Sequence, residues 1–489
     1  LPLAASSPLC KLKAQPPFAR QRQDCRARDG TTEESHGDSR STHTSQQEIR
    51  FSYQSISNVG DFVFSTTLVL WIAAIIARGQ TWAPAAVSGV LLATSIPTLL
   101  IGPLAGVFVD RWDKRHTMLA MDATRAVLIA LLLPVAIGKL PALWQLGAIY
   151  TIVFLASACA QFFNPARFAL IGDIVDEPER ARASGLSQTT YSLAVIIGPP
   201  IAAPLLFTVG VEWALLLNAL SFVVSFLAIL ALHIPTSPSG AAAAARGNYF
   251  QDFSAGLRFF FHNRILFTLF MTIIIVMLGA GAINALGIFF TTQNLHTSAN
   301  FYGFLDMAQG AGMVLGAILA SIFAQRIGVP RLFWLSIVAL GASLLIYARL
   351  TSFAPALVDL FVLGIVLAPI DIAAGPLILH ATPKEFVGRV MAVITPSNAL
   401  ASIASTAIAG TLASTVLQGF HTVLLGISFG PIDTIFTITA LLVVLGGLYA
   451  MFGLRGVNLA RQEAPAPAAE ALEAALVPHP EKGQLADQL

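Results

Sequence analysis

Twelve long apolar stretches follow one another through most of this chain. They lie at about 55–77, 84–108, 117–138, 142–166, 186–208, 212–233, 265–290, 301–325, 332–350, 354–379, 390–416 and 430–453. Each is near or above the ~20 residues that an α-helix needs to cross a hydrocarbon layer. In such a layer every backbone N–H and C=O must be paired within the segment, so a lone run of this kind folds as a helix. Composition agrees: of 489 residues, 56% are hydrophobic and only 11% charged, with a mean hydropathy of +0.74. A water-soluble fold of this length needs more charge to cover its surface. The expected fold class is an all-α membrane protein with twelve transmembrane helices, and its first partner is the lipid bilayer.

Polar segments divide the chain. Residues 1–50 are rich in Arg, Gln, Ser and Thr without periodicity, which predicts a disordered tail lacking the apolar run of a signal peptide. A second polar segment, with Pro235, Pro238 and a run of alanines, separates the first six spans from the last six. The predicted organisation is a six-helix half over 51–233, a cytoplasmic linker over 234–264, a second half over 265–454 and a flexible tail over 455–489. Of three cysteines, Cys10 and Cys25 lie in the tail and Cys159 in an apolar run. Neither a disulfide framework nor a metal site is expected.

Loop charges set the orientation. With both termini inside, the inside loops hold Arg111, Lys114, Arg115, Arg167, Arg180, Arg182, Arg246, Arg258, Arg264, Arg326, Arg331, Lys384 and Arg389, and the outside loops only Arg78, Lys139 and Arg349. Thirteen against three is the bias of the positive-inside rule. It predicts a multi-pass protein of the cell membrane with both termini cytoplasmic. The halves also echo each other. Thr94, Thr98, Gly102, Gly106 and Asp110 recur at intervals of four, as do Ala308, Gly312, Gly316, Ala320 and Ala324 in the eighth span. That interval puts small groups on one helix face, where a neighbour can approach closely; for the second span the expected neighbour is in the other half. Two pseudo-symmetric six-helix halves suit alternating access, one half rocking against the other.

The turn after the second span reads Gly102-Pro-Leu-Ala-Gly106-Val-Phe-Val-Asp110-Arg111-Trp-Asp113-Lys114-Arg115. This resembles the loop motif of the major facilitator superfamily, G-x-x-x-D-R-x-x-[RK]-[RK], between helices 2 and 3. The resemblance covers about residues 51–455 and implies that Asp110 and Arg111 form an inner latch with Arg167 at the end of the fourth span, holding the outward-open state. A generic basic turn would present the same charges. Asp113 departs from the motif, standing where many members have Gly. The macrolide-efflux and siderophore-exporter branch tolerates an acid there, and the chain is most similar to that branch.

Gly198, Pro199 and Pro200 in the fifth span resemble the Gly-Pro motif of superfamily antiporters, although alanines replace its outer glycines. Proline removes a backbone donor and bends a helix, so an ordinary kink would look the same. If the motif holds, antiport and efflux are implied. Acids inside membrane helices are expensive unless paired, wetted or protonated. Asp122 and Arg125 lie three apart on one face and are expected to form a structural pair. Asp306 and Asp359 read as wetted helix ends. Asp61 and Asp371 are left as proton-site candidates.

An apolar cavity is expected, with Phe62, Phe64, Trp71, Phe162, Phe163, Phe267, Phe270, Phe289, Phe290, Phe301 and Phe304 as candidate lining. Such a cavity suits a lipophilic solute better than a sugar. The sequence has no G-K-[ST] loop and no H-E-x-x-H motif, so neither an enzyme nor an ATP-driven pump is expected. The reading is a monomeric exporter of a lipophilic drug, macrolide or siderophore-like solute. It would use protons and no cofactor, with the proton gradient as energy source, and no nucleic acid as partner. The alternatives are a proton-coupled importer of the same fold and a non-transporting membrane scaffold or sensor.

Overall fold

The computed structural model describes residues 57–109, 111–138, 140–174, 180–231, 260–383, 386–420, 422–424 and 427–456. The predicted tail 1–50, most of the linker 234–264, residues 457–489 and Asp110 lie outside the described residues. Twelve helices are long and apolar enough to cross a membrane: α1 Ser57–Ile76, α2 Ala83–Leu100, α3 Lys114–Ile137, α4 Ala142–Leu170, α5 Gln188–Val209, α6 Val211–Ala231, α7 Arg264–Asn294, α8 Ala299–Ile327, α9 Val329–Tyr347, α10 Phe353–Ala381, α11 Val387–Ser414 and α12 Pro431–Gly453. A short hairpin, β1 Thr422–Leu424 and β2 Ile427–Phe429, links the last two. It is an addition to the all-helical expectation.

Prolines set the irregularities inside the spans. α2 stops at Leu100 and resumes as Gly102–Val109, because Pro103 cannot donate to the preceding turn. Pro134 likewise follows a break at Leu131 in α3. After Pro204, α5 closes in a wider π turn over Leu205–Val209. Several helix ends are capped by side chains. Asn263 Oδ1 accepts from Ile265 N and Leu266 N at 3.0 and 3.2 Å, while its Nδ2 donates to Ala381 O at the end of α10. Arg115 Nη2 donates to Leu230 O at 2.7 Å, and Arg264 Nη2 to Phe452 O at 2.9 Å. Each places a cation at the C-terminus of the last helix of its set, where the helix dipole favours it.

Helix pairing repeats with six added to each number. Within the first six, α2 packs on α4, and α3 on α4 and α6. Within the last six, α8 packs on α10, and α9 on α10 and α12. The small-residue stripes explain one of these pairs. The backbone at Gly312 and Gly316 lies against the carbonyls of Phe361 and Ile365 in α10. In α2, Thr94 O accepts from Ser157 Oγ at 2.6 Å and Thr98 Oγ1 from Gln161 Nε2 at 3.1 Å. The α2 stripe therefore faces α4, in the same set of six, and not the other half as the sequence suggested.

The two sets join through α2 with α11, α5 with α8, and α2 with α7. Their closest approaches lie toward the end that carries Trp82, Ser298 and Ser414. There Ala85 N donates to Ser414 Oγ at 3.0 Å, Gly410 rests on Ser88, and Gly303 rests on the Pro199 carbonyl. The other end carries Arg111, Arg115, Arg167, Arg264, Arg326, Arg331 and Arg389, and is called the basic end below.

Candidate functional site

A small polar cavity of about 110 Å³ lies one to two helical turns inside the basic end. Ser57, Asn58 and Asp61 of α1, Arg125 of α3, Asn164 and Arg167 of α4 and Ser225 of α6 line it. Gly60 is what lets α1 come this close to α6: a Cβ there would sit 2.9 Å from Ser221 Oγ. Asn218 Nδ2 donates to Gly60 O at 3.1 Å and fixes the approach. Asp61 is thereby held where Arg125 can reach it.

Arg125 Nη2 lies 3.3 Å from Asp61 Oδ2 and 3.5 Å from Oδ1, with the arginine side chain 13% and the aspartate side chain 39% exposed. The face of Phe222 lies under the guanidinium, 3.9 Å from its carbon to the ring centroid. Ion pair and cation–π contact together settle a charge that would otherwise be costly at this depth. The expected pair of Asp122 with Arg125 is therefore corrected. Although they share a helix face, the long arginine side chain crosses to α1, and Asp122 Oδ2 instead accepts from Ser225 Oγ at 2.6 Å. Asp122 is 1% exposed.

The latch motif divides its labour. Arg115 caps α6, as above. Asp113 N-caps α3, accepting at Oδ1 from His116 N at 2.7 Å, which gives this departure from the motif a structural task. The His116 backbone N–H holds the Asp113 carboxyl below the usual carboxylate range. Trp112 stacks on Phe162 at 5.8 Å between centroids, pinning the turn to α4. Gly102 approaches Gln161 of α4, whereas nothing lies within 4 Å of a Cβ at Gly106. Arg111 is exposed. Asp110 lies outside the described residues; Arg167 lines the same cavity as Asp61 and Arg125.

The Gly198-Pro199-Pro200 segment occupies a junction. A Cβ at Gly198 would lie 2.6 Å from Phe62 Cβ, next to Asp61, and the Pro199 carbonyl carries Gly303 of α8. It connects the helix of the ion pair to the other set of six. Asp371 is exposed on α10 and has neither ion pair nor hydrogen bond among the described residues; it stands apart from the Asp61 cavity. Asp359 is less wetted than expected. Its Oδ1 accepts from Ser343 Oγ at 3.1 Å and its Oδ2 is buried. Of the expected lining residues, Phe163 borders the Asp61 cavity and Phe289 borders a second cavity at the end away from the basic turns, whereas Trp71, Phe270 and Phe290 are buried core.

Twelve membrane-length helices, paired twice in the same pattern and meeting at one end, make up a secondary-transporter bundle. The chain belongs to the transmembrane secretion effector family of the major facilitator superfamily (MFS_3), whose profile matches residues 49–439. It is thus an integral membrane transporter. It is 28% identical over 313 residues to the uncharacterized MFS-type transporter YkuC of Bacillus subtilis (strain 168), covering 60% of this chain and 70% of that one. It is 24% identical to macrolide efflux protein A of Enterococcus faecalis, over 51% and 76% of the two chains. It is 27% identical to the multidrug efflux pump Tap of Mycobacterium bovis (strain BCG / Pasteur 1173P2), over 70% and 81%. Among solved structures, the nucleoside transporter NupG superposes with a TM-score of 0.65 at 14% identity, over 83% of this chain and 100% of that one. A bacterial homologue of the iron transporter ferroportin, in its inward-facing state, gives 0.62 at 13% identity over 84% and 99%. At such identities the likeness is one of fold.

Proposed function

We propose that this transporter exports a lipophilic small molecule across the cell membrane in exchange for protons, by alternating access. The observation that carries the reading is the Asp61–Arg125 ion pair, set inside two membrane helices and open to a small cavity at the basic end. A half-exposed carboxylate held by one movable cation can trade that partner for a proton or a solute, which is what coupled exchange requires. The Gly198–Pro199 junction, bearing on both Phe62 and Gly303, offers a route from that site to the interface that must open. The efflux named in two relatives supports the outward direction. The basic end is assigned to the cytoplasm by its charge; the solute then enters there, from a monomer with both termini cytoplasmic.

The test uses a bacterium lacking its main efflux pumps. Expression of the chain should lower accumulation of at least one macrolide or lipophilic dye, and a protonophore should restore it. Accumulation that rises on expression and collapses with the protonophore would instead identify an importer.

A further inference from the structure

Asp122 is 99% enclosed: one oxygen accepts from Ser225, and the other, Oδ1, has no hydrogen-bond partner among the described residues. The cation nearest in sequence, Arg125, is turned away to Asp61. An ionised carboxylate so enclosed would lack any compensating donor on Oδ1. The groups facing this cluster are few. α1 presents Asp61, α4 presents Arg167 and Cys159, and α6 presents Ser225, Asn218 and Phe222. Arg125 stands one helical turn beyond Asp122 on the same face of α3, so rotation of its side chain alone would carry the guanidinium from Asp61 to Asp122.

We propose that Asp122 carries the exchanged proton and that Arg125 is handed between Asp61 and Asp122. This rests on the proton-coupled export proposed above and gives it a solute class: a lipophilic cation. In the state described, Asp122 is a neutral acid with its proton on Oδ1, and Arg125 neutralises Asp61. A cationic solute that pairs with Asp61 displaces Arg125. The guanidinium turns to Asp122, the O–H bond there breaks, and the proton leaves to water in the adjoining cavity at the basic end. Before the exchange the Asp61, Arg125 and Asp122 charges sum to zero. Afterwards the solute cation with Asp61 and Arg125 with Asp122 again sum to zero. No step leaves an uncompensated charge in the low-dielectric interior, the condition that makes such a transfer affordable. A neutral solute could not displace Arg125 and would release no proton by this route.

The full chain in detergent solution allows two independent measurements. First, the infrared spectrum of the wild type minus that of Asp122→Asn should contain the C=O stretch of a protonated carboxyl at neutral pH. Its absence would overturn the proposal whatever the solute. If Asp122→Asn does not fold, Ser225→Ala replaces it. Loss of the hydroxyl on Oδ2 should shift the same band rather than remove it, and an unmoved spectrum is equally fatal. Second, tetraphenylphosphonium added to weakly buffered wild type should bind and release about one proton per cation bound. Asp122→Asn should bind it and release none, and Asp61→Asn should fail to bind it. Undiminished release from Asp122→Asn would remove Asp122 from the relay. Absence of tetraphenylphosphonium binding to the wild type would remove the displacement step, while export of neutral compounds in the accumulation assay could still stand. Absence of any export there would remove the reading beneath both.

Discussion

The two sets of six meet through glycine at one end of the bundle. Toward the end away from the basic turns, two glycines are spacers filled by the other set of helices, while Gly79, Gly147 and Gly419 there have open space beside them. Gly303 meets the Pro199 and Pro200 backbone, and Gly410 meets Ser88 and the Pro84 carbonyl. At the basic end, Gly106 of the α2 extension, Gly375 of α10 and Gly388 of α11 have nothing within 4 Å of a Cβ position. Glycine thus carries contact between the two sets at one end, and Gly106, Gly375 and Gly388 carry none at the other. A bundle that alternates between two closures needs small residues at both, and in any one state only one set is used. Under the alternating access proposed above, the open space beside Gly106, Gly375 and Gly388 would be filled when the basic end closes.

The largest effect should come from Gly303→Leu. The obstacle is the backbone of Pro199 and Pro200, which cannot swing aside as a side chain could. Overpacking of this kind costs about 1–3 kcal/mol, enough to shift a two-state balance by about 5–150-fold. Transport should fall by at least tenfold, and a cysteine at Ala413 should become more reactive to a membrane-impermeant maleimide as this end opens. Unchanged reactivity would mean that the α5–α8 contact does not hold the end shut. Gly410→Ala should act in the same direction but less, since its nearest atoms belong to the Ser88 side chain. Ser88→Gly in the same chain should recover most of the loss.

Gly106→Leu sharpens the comparison from the other end. In the present state it meets open space, so the unfolding free energy should stay within about 0.5 kcal/mol of wild type, as for an ordinary surface change. Transport should nevertheless fall severalfold, and the cysteine at Ala413 should become less reactive. Full transport by this variant would break the inference that Gly106 is used in a second closure.

How far the chain could be read beforehand follows from the range of the interactions concerned. The twelve spans were legible because length and apolarity are local properties, and each observed helix overlaps its predicted stretch. The helix face presented by Gly312 or Gly102 was legible too, from spacing alone. Which neighbour fills it was not: α4 of the same set, rather than the other half, lies opposite the α2 stripe. The Asp122–Arg125 expectation failed for the same reason. Proximity along a helix competes with a partner 64 residues away in sequence, and the tertiary partner won because Gly60 brings α1 within reach. A signal was present. Asn218, Ser221 and Ser225 lie on one face of an otherwise apolar α6, and polar side chains in a buried stripe imply partners across a helix interface. Neither Asp371 nor Asp61 could be ranked from sequence, since what separates them is a cavity and a cation that only packing assembles.

The smallest effect concerns the turn between α2 and α3. Asp113 caps α3 through the His116 N–H, and that bond holds its carboxyl below the ordinary carboxylate range. A group whose folded value is depressed adds stability that is present above its unfolded value and lost as pH falls through the folded one. The contribution should therefore be complete at neutral pH and fade below about pH 4. Asp113→Ala should cost about 0.5–2 kcal/mol at neutral pH. The difference between variant and wild type should shrink on acidification toward pH 3, as measured by thermal unfolding in the same detergent. Asp113→Asn keeps an acceptor without the charge and should cost less than Asp113→Ala, with little pH dependence of its own. A penalty for Asp113→Ala that stays constant from pH 7 to pH 3 would show that the side chain acts by packing in the turn rather than by capping α3. The acid that departs from the motif would then need another explanation than the helix it begins.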